Sequence, residues 1–218
     1  MFTTILFDLD GTLCDSFPGV SNSIEYALKR LGHERPPEGI LRKCLGPSLM
    51  ESFTKLLGLS EEQAKTAVKL YREYYPKKGI FEQSLMEGAE ETLKSLKAKG
   101  KTVCLATSKP QEYSERILKH FGVEKYFDEI TGATFDGTLS EKSDIIARVL
   151  QKTGAQPSEC LMVGDRYFDI AGAHACKIKC AAVLCGYGSE QEFREYNADF
   201  IVKNLIDIIP LADQPSFS

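Results

Sequence analysis

The chain has 218 residues, of which 43% are hydrophobic and 27% charged, and it carries a net charge of −4. That length buries a sizeable core as one large domain or a main domain with a satellite, and the composition is that of an ordinary water-soluble globular protein. A weakly acidic balance with scattered Lys and Arg excludes the electrostatic footprint of a nucleic-acid binder.

Met1 to Phe7 lacks a cationic lead and is stopped by Asp8, which predicts neither a secretion signal nor a membrane span, and hence a cytoplasmic protein with no membrane partner. Ile5-Leu6-Phe7 reads as a buried parallel strand that delivers Asp8, Asp10 and Gly11 to the carboxyl edge of its sheet, where ligands of open α/β folds collect. Asp8 and Asp10, two apart in extended chain, project to the same side. Like charges held together raise each other's pKa unless a cation lies between them. Mg²⁺, a hard ion that takes one or two carboxylates and leaves room for substrate phosphate, is the expected cofactor.

Helical spacing dominates the next seventy or so residues. Pro18 sits in the first turn of a helix bearing Val20, Ile24, Ala27, Leu28 and Leu31, and Pro37 opens a second through Ile40, Leu41, Cys44 and Leu45 that Gly46-Pro47 breaks. A third carries Leu49, Phe53, Leu56 and Leu57 as far as Gly58. Ser60 with Gln63 forms a capping box for a fourth that ends before Pro76. Residues 15–83 therefore read as a small helical insert, a cap over the sheet, with Arg42 and Lys43 on a helix face that suits either solvent or a site.

From Gly88 strands and helices alternate, as a doubly wound parallel sheet requires. Strands are predicted over 102–106, 129–133, 160–164, 180–184 and 199–202, and helices through Leu93 and Leu96, through Tyr113 to Phe121, and over 140–152, 168–176 and 190–196. Residues after Pro210 read as a loose tail. The predicted fold class is α/β, a doubly wound, Rossmann-like parallel sheet formed by residues 1–14 and 84–218, with residues 15–83 inserted as the cap.

Each later strand places a chemically useful residue at its end. Thr107-Ser108-Lys109 offers a hydroxyl, backbone amides and a cation that suit phosphate, and equally fits an ordinary helix start. Lys142 stands near the start of its helix, unfavourably placed against the dipole, which calls for another partner. Gly164-Asp165 ends a second apolar strand, and a helix starting near Asp165 would carry Asp169 one turn on along the same face. Facing Asp8 and Asp10, these two acids could complete a magnesium shell. Seven cysteines without a C-x-x-C pair argue against a disulfide framework or a zinc site and read as small buried hydrophobes. His33, His120 and His174 are too dispersed to form a ligand set.

In order, Ile5 to Thr12, Thr107-Ser108-Lys109, Lys142 and Leu161 to Asp169, followed by Gly172-Ala173, resemble the four motifs of the haloacid dehalogenase-like hydrolases. The resemblance is closer to the small phosphatases that include phosphoglycolate phosphatases and 5'-nucleotidases. Leu45 to Leu49 and Gly186 to Ser189 resemble a cap loop and the last loop of that subgroup. The resemblance implies that Asp8 attacks phosphorus while Asp10 serves as general acid and base. It further implies that Thr107, or alternatively Ser108, supplies the phosphate-binding hydroxyl, and that Lys142 pairs with nucleophile and phosphate. Asp8, Asp10 and Asp165 would bind Mg²⁺, with Asp169 holding metal-bound water or orienting its neighbours. The partner is then a small phosphorylated metabolite and the protein a monomer or weak homodimer. Rival readings are a sugar phosphomutase, which Thr12 disfavours because related mutases carry an aliphatic residue there, a non-catalytic binding protein, and a haloacid dehalogenase, which needs no magnesium.

Overall fold

A computed structural model describes residues 1–214. β1 (Thr4–Phe7) is buried at every position, and Ile5, Leu6 and Phe7 are wholly inaccessible to solvent. The chain passes through β2 (Cys14–Asp15) into helices α1 (Phe17–Arg30), α2 (Glu38–Lys43), α3 (Leu49–Glu51) and α4 (Glu61–Tyr74), and leaves them by β3 (Ser84–Leu85). After α5 (Ala89–Ala98) come β4 (Thr102–Pro110), α6 (Gln111–His120), β5 (Glu129–Ala133), α7 (Lys142–Thr153) and β6 (Cys160–Gly164). The last elements are α8 (Tyr167–Ala175), β7 (Lys179–Val183), α9 (Glu190–Glu195), β8 (Phe200–Val202) and α10 (Ile208–Leu211).

Six strands form one parallel sheet in the order β5-β4-β1-β6-β7-β8. Chain order therefore runs outward from β1 on one side and returns to its other side at β6, so β1 and β6 flank the switch point where open α/β sheets bind ligands. Phe7 is in register with both Leu105 and Val163, which brings the carboxyl ends of β4, β1 and β6 together. β1 and β6, at the centre, are buried at every position, as strands covered on both faces require. On one face Leu6, Cys104, Met162 and Cys180 pack with Ile145, Ile146, Val149 and Ile170. All seven cysteines are free. Burial pushes the Cys104 thiol up to about 12 and the Cys160 thiol up to about 11, so both behave as small apolar groups.

Contacts divide the chain into Met1–Cys14 with Leu85–Ser218, and Asp15–Ser84. Within the second unit α1 packs on α4, and Ser60 and Gln63 exchange the two hydrogen bonds of the capping box at 3.3 Å. The third predicted helix departs from regularity. After α3 the chain winds into a π-turn, Ser52–Leu56, closed by Leu57 N–H donating to the Ser52 carbonyl at 3.0 Å. Two glycines of the unit lie against one another with no room for a side chain on either. A Cβ on Gly19 would lie 1.9 Å from the Gly79 carbonyl oxygen, and one on Gly79 would lie 2.8 Å from that of Gly19. Gly19→Ala is accordingly expected to force α1 away from residue 79 and to cost about 1–3 kcal/mol, which for a chain of this size lowers Tm by about 2–4 °C per kcal/mol; a calorimetric scan checks it.

Two sequence expectations are corrected. Strand continues through Pro110, with a shift of register after Thr107, rather than ending at Ala106. The chain beyond Pro210 is not loose as far as it is described: Leu211 and Ala212 are buried, and the buried Lys101 ammonium donates to the carbonyls of Phe2 (2.8 Å) and Ala212 (3.1 Å) and lies 3.2 Å from Asp213. Apolar side chains at 211 and 212 together with that clasp hold the segment, and residues 215–218 lie outside the described residues. Among the described residues no helix is long and apolar enough to cross a membrane.

Candidate active site

Asp8 follows β1 directly, its N–H donating to the Val163 carbonyl at 2.9 Å. Asp165 follows β6 in the same way and has no solvent exposure. α8 starts at Tyr167, within one residue of the predicted 168 and two past Asp165, so Asp165 lies ahead of the helix rather than on its face. Asp169, in its first turn, still reaches the same place because its Oδ2 accepts from the Arg166 N–H at 3.1 Å, folding the turn back over the strand end. Oxygens of Asp8, Asp165 and Asp169 lie within 4.8 Å of one another.

Lys142 is the first residue of α7 and is buried against these acids. Its Nζ is 2.8 Å from Asp8 Oδ1, 2.8 Å from Asp169 Oδ1, and donates to the Ala106 carbonyl at 3.0 Å. One ammonium is thus shared between two carboxylates and a carbonyl, which accounts for a lysine at a helix start. Burial alone would lower its pKa, but Asp169 and Asp8 outweigh that and raise it, so the ammonium is firmly charged. The carboxylates show the opposite strain. Burial, with Asp169 and Asp8 close by, holds the Asp165 carboxyl well above its usual range, against the Tyr187 N–H that donates to its Oδ2 at 2.7 Å. Burial likewise raises Asp169, with the pull of Lys142 opposing and the charge of Asp8 assisting.

Such a set is short of positive charge. Among the described residues the three carboxylates share one ammonium, and the other donors to them, the Thr12 hydroxyl at 3.2 Å from Asp165 Oδ1, the Tyr187 N–H and the Arg166 N–H, are neutral. Two uncompensated negative charges on clustered oxygens suit a divalent, oxygen-seeking cation. The model described as haloacid dehalogenase-like hydrolase matches residues 5–183 of this sequence. The chain belongs to that family.

Among relatives, this hydrolase is 38% identical over 195 residues to a 5'-nucleotidase of Pseudomonas aeruginosa, covering 89% of this chain and 88% of that one. It is 36% identical over 205 residues to the tyrosine-protein kinase PtkA of Mycobacterium tuberculosis, covering 94% and 67%. The crystal structure of a predicted phosphatase from Clostridium acetobutylicum matches with a TM-score of 0.89 at 36% identity over 97% of this chain and 98% of that one.

Within this haloacid dehalogenase-like site, glycines make the room. Gly11, at φ +81, has no space for a side chain: a Cβ there would stand 2.2 Å from Asp165 Oδ2. At Gly186 a Cβ would meet the Asp165 Cβ at 2.3 Å, and at Gly164 the Asp169 Cγ at 2.2 Å. Thr107 is buried at the end of β4 with its Oγ1 accepting from the Lys109 N–H at 3.2 Å, whereas Ser108 is exposed. The Asp10 carboxylate, expected among the metal-binding acids, is not part of the cluster of three; its Oδ2 takes the Lys109 ammonium at 2.6 Å. Periodicity could not signal this, because the chain leaves extended geometry after Phe7 for a turn in which Leu13 and Cys14 N–H groups both donate to the Leu9 carbonyl. Thr12 and Tyr187 were missed as Asp165 partners, although both lie in stretches the motifs had marked. His174 pairs with Asp199 at 3.1 Å, and within the helical unit Arg42 pairs with Glu38 at 2.7 Å.

Proposed function

We propose that this hydrolase removes phosphate from small monoesters, with Mg²⁺ as cofactor and Asp8 as nucleophile. The observation that carries this reading is the Lys142 ammonium held equally between Asp8 and Asp169 inside a buried, charge-deficient cluster at the switch point of the sheet. Asp8, Asp165 and Asp169 are the residues that would hold the ion, directly or through water, and the ion would neutralise charge on the transferred phosphoryl group. Phosphoryl transfer asks a protein mainly for positioning and charge neutralisation. Lys142 would steady Asp8 for attack and share the phosphoryl charge, and Thr107 with the Ser108 amide would bind the phosphoryl oxygens. Asp10 would give a proton to the departing oxygen and later take one from water. These groups address only the phosphoryl part that all such esters share, so choice of the leaving group is assigned to the helical unit Asp15–Ser84.

The test is a panel of phosphate esters assayed with Mg²⁺, with Ca²⁺ and with EDTA. Turnover is expected with Mg²⁺, inhibition with Ca²⁺, whose larger and looser coordination misplaces nucleophile and phosphate, and a loss on the order of 10²-fold or more in EDTA that added Mg²⁺ restores. Full activity in excess EDTA rejects the metal. Transfer between positions of a sugar phosphate without release of phosphate would identify a mutase, transfer to protein tyrosine would place the chain with its PtkA-named relative, and ligand binding without turnover would mean a retained scaffold only.

A further inference from the structure

The two oxygens of the Asp10 carboxylate stand in different surroundings. Oδ2 has the Lys109 ammonium at 2.6 Å. Oδ1 is buried and accepts no hydrogen bond from the described residues. The Lys109 side chain is only 7% exposed, so its charge lies beside this carboxylate largely withdrawn from water. Considerable local structure is given to aiming it. The register of β4 against β5 shifts between Thr107 and Pro110, an irregularity that redirects a side chain at a strand end. Across the shift, Gly132 clears the path of the backbone: a Cβ there would lie 2.7 Å from the Lys109 carbonyl oxygen and 2.7 Å from the Gln111 N. The Lys109 N–H is tied to Thr107 Oγ1, and Ser114 Oγ donates to the Pro110 carbonyl at 3.1 Å.

We propose that Lys109 is the positioning residue for Asp10, which it holds by Oδ2 so that Oδ1 is the oxygen that exchanges protons in the reaction. The inference rests on the phosphatase reading above. In the first step an Asp8 oxygen bonds to phosphorus while the bond to the leaving oxygen breaks, its electron pair staying with that oxygen, which receives the proton of Asp10. In the second, water adds to phosphorus, its proton goes to Asp10 Oδ1, and the bond between phosphorus and Asp8 breaks to regenerate the carboxylate and release phosphate. Both proton transfers need one Asp10 oxygen fixed toward the reacting atoms, and small misplacement of such a group costs heavily.

The experiment compares wild type, Lys109→Met and Lys109→Arg in rapid-quench single turnovers with Mg²⁺, using p-nitrophenyl phosphate and glycerol phosphate, with phosphoenzyme measured by intact mass. The aryl leaving group needs little protonation and the alkyl one needs it fully. Lys109→Met is expected to slow phosphorylation by glycerol phosphate about 10- to 100-fold more than by the aryl ester, to leave KM little changed, and to accumulate phosphoenzyme. Lys109→Arg, which keeps the charge, is expected to recover most of the alkyl rate. Lys109→Gln is read in the same way should the methionine variant fail to fold. Equal losses on both esters without accumulation would reduce the pair to a structural contact, and a rise in KM for both with kcat intact would make Lys109 a substrate-binding group. Absence of any phosphoenzyme in wild type would instead defeat the reading of Asp8 and leave the fault there.

Discussion

Asp8→Asn is expected to end turnover of every phosphate ester, whereas Asp10→Asn stalls the reaction part-way. The amide at position 8 has no lone pair basic enough to attack phosphorus, and the variant also loses the ionic contact with Lys142 at 2.8 Å, so no phosphoenzyme forms. Asp10→Asn retains the nucleophile, Lys142 and the acids Asp165 and Asp169. It loses the group that protonates the leaving oxygen and later deprotonates water, a contribution of about 10²–10⁴-fold in each step it serves. An aryl phosphate should then react once, releasing one equivalent of phenol per enzyme, and stop as an acyl phosphate that mass spectrometry reads as one added phosphoryl group. An alkyl phosphate should hardly enter the first step. A variant at Asp8 with wild-type turnover, or an Asp10→Asn enzyme without a burst, would show that the roles are wrongly divided.

How much of this site could be read in the sequence follows from the kind of interaction that made it. Strand ends were legible, because an apolar run broken by Asp8 or by Gly164-Asp165 marks both the strand and the charge it delivers, and the parallel order then places the two ends side by side. Lys142 was legible through a conflict, a cation at a helix start, and the structure answers it with two carboxylates. What could not be read depends on turns and on contacts across the sequence. The direction of the Asp10 side chain is set by the turn after Leu9, and its partner lies 99 residues away. That Asp165 stands ahead of α8 rather than on its face goes with Asp169 accepting from the Arg166 N–H, a bond between neighbours that no period reveals. Gly11, Gly164 and Gly186 read as ordinary loop or strand-end glycines until the carboxylates they admit are placed. The segment after Pro210 reads as a tail because its anchor, Lys101, precedes a strand and would ordinarily be taken for a surface lysine.

Lys142→Met is expected to lose both stability and turnover, and the two losses can be separated. The methionine stem is about the size of the lysine stem, which already packs tightly, since a Cβ on Gly172 would come within 2.7 Å of the Lys142 Cγ. The change is thus almost purely electrostatic: Asp8, Asp165 and Asp169 remain within 4.8 Å of each other with no ammonium between them. Removing one partner of a buried ionic set costs about 3–5 kcal/mol, because the charges left behind are neither hydrated nor paired. Metal-free denaturant melts at neutral pH should show a loss of that size, and saturating Mg²⁺ should offset part of it by binding only the folded state. Adding Asp169→Asn removes one of the stranded charges, so the double variant is expected to be more stable than Lys142→Met alone, a coupling of about 0.5–3 kcal/mol for residues in contact. Activity should not return with stability, since neither the group that steadies Asp8 nor the one that opposes it is restored. Additive stability losses in the double variant would mean that Lys142 contributes through packing rather than charge, and recovery of turnover alongside stability would mean that its part in the reaction was only to keep the fold.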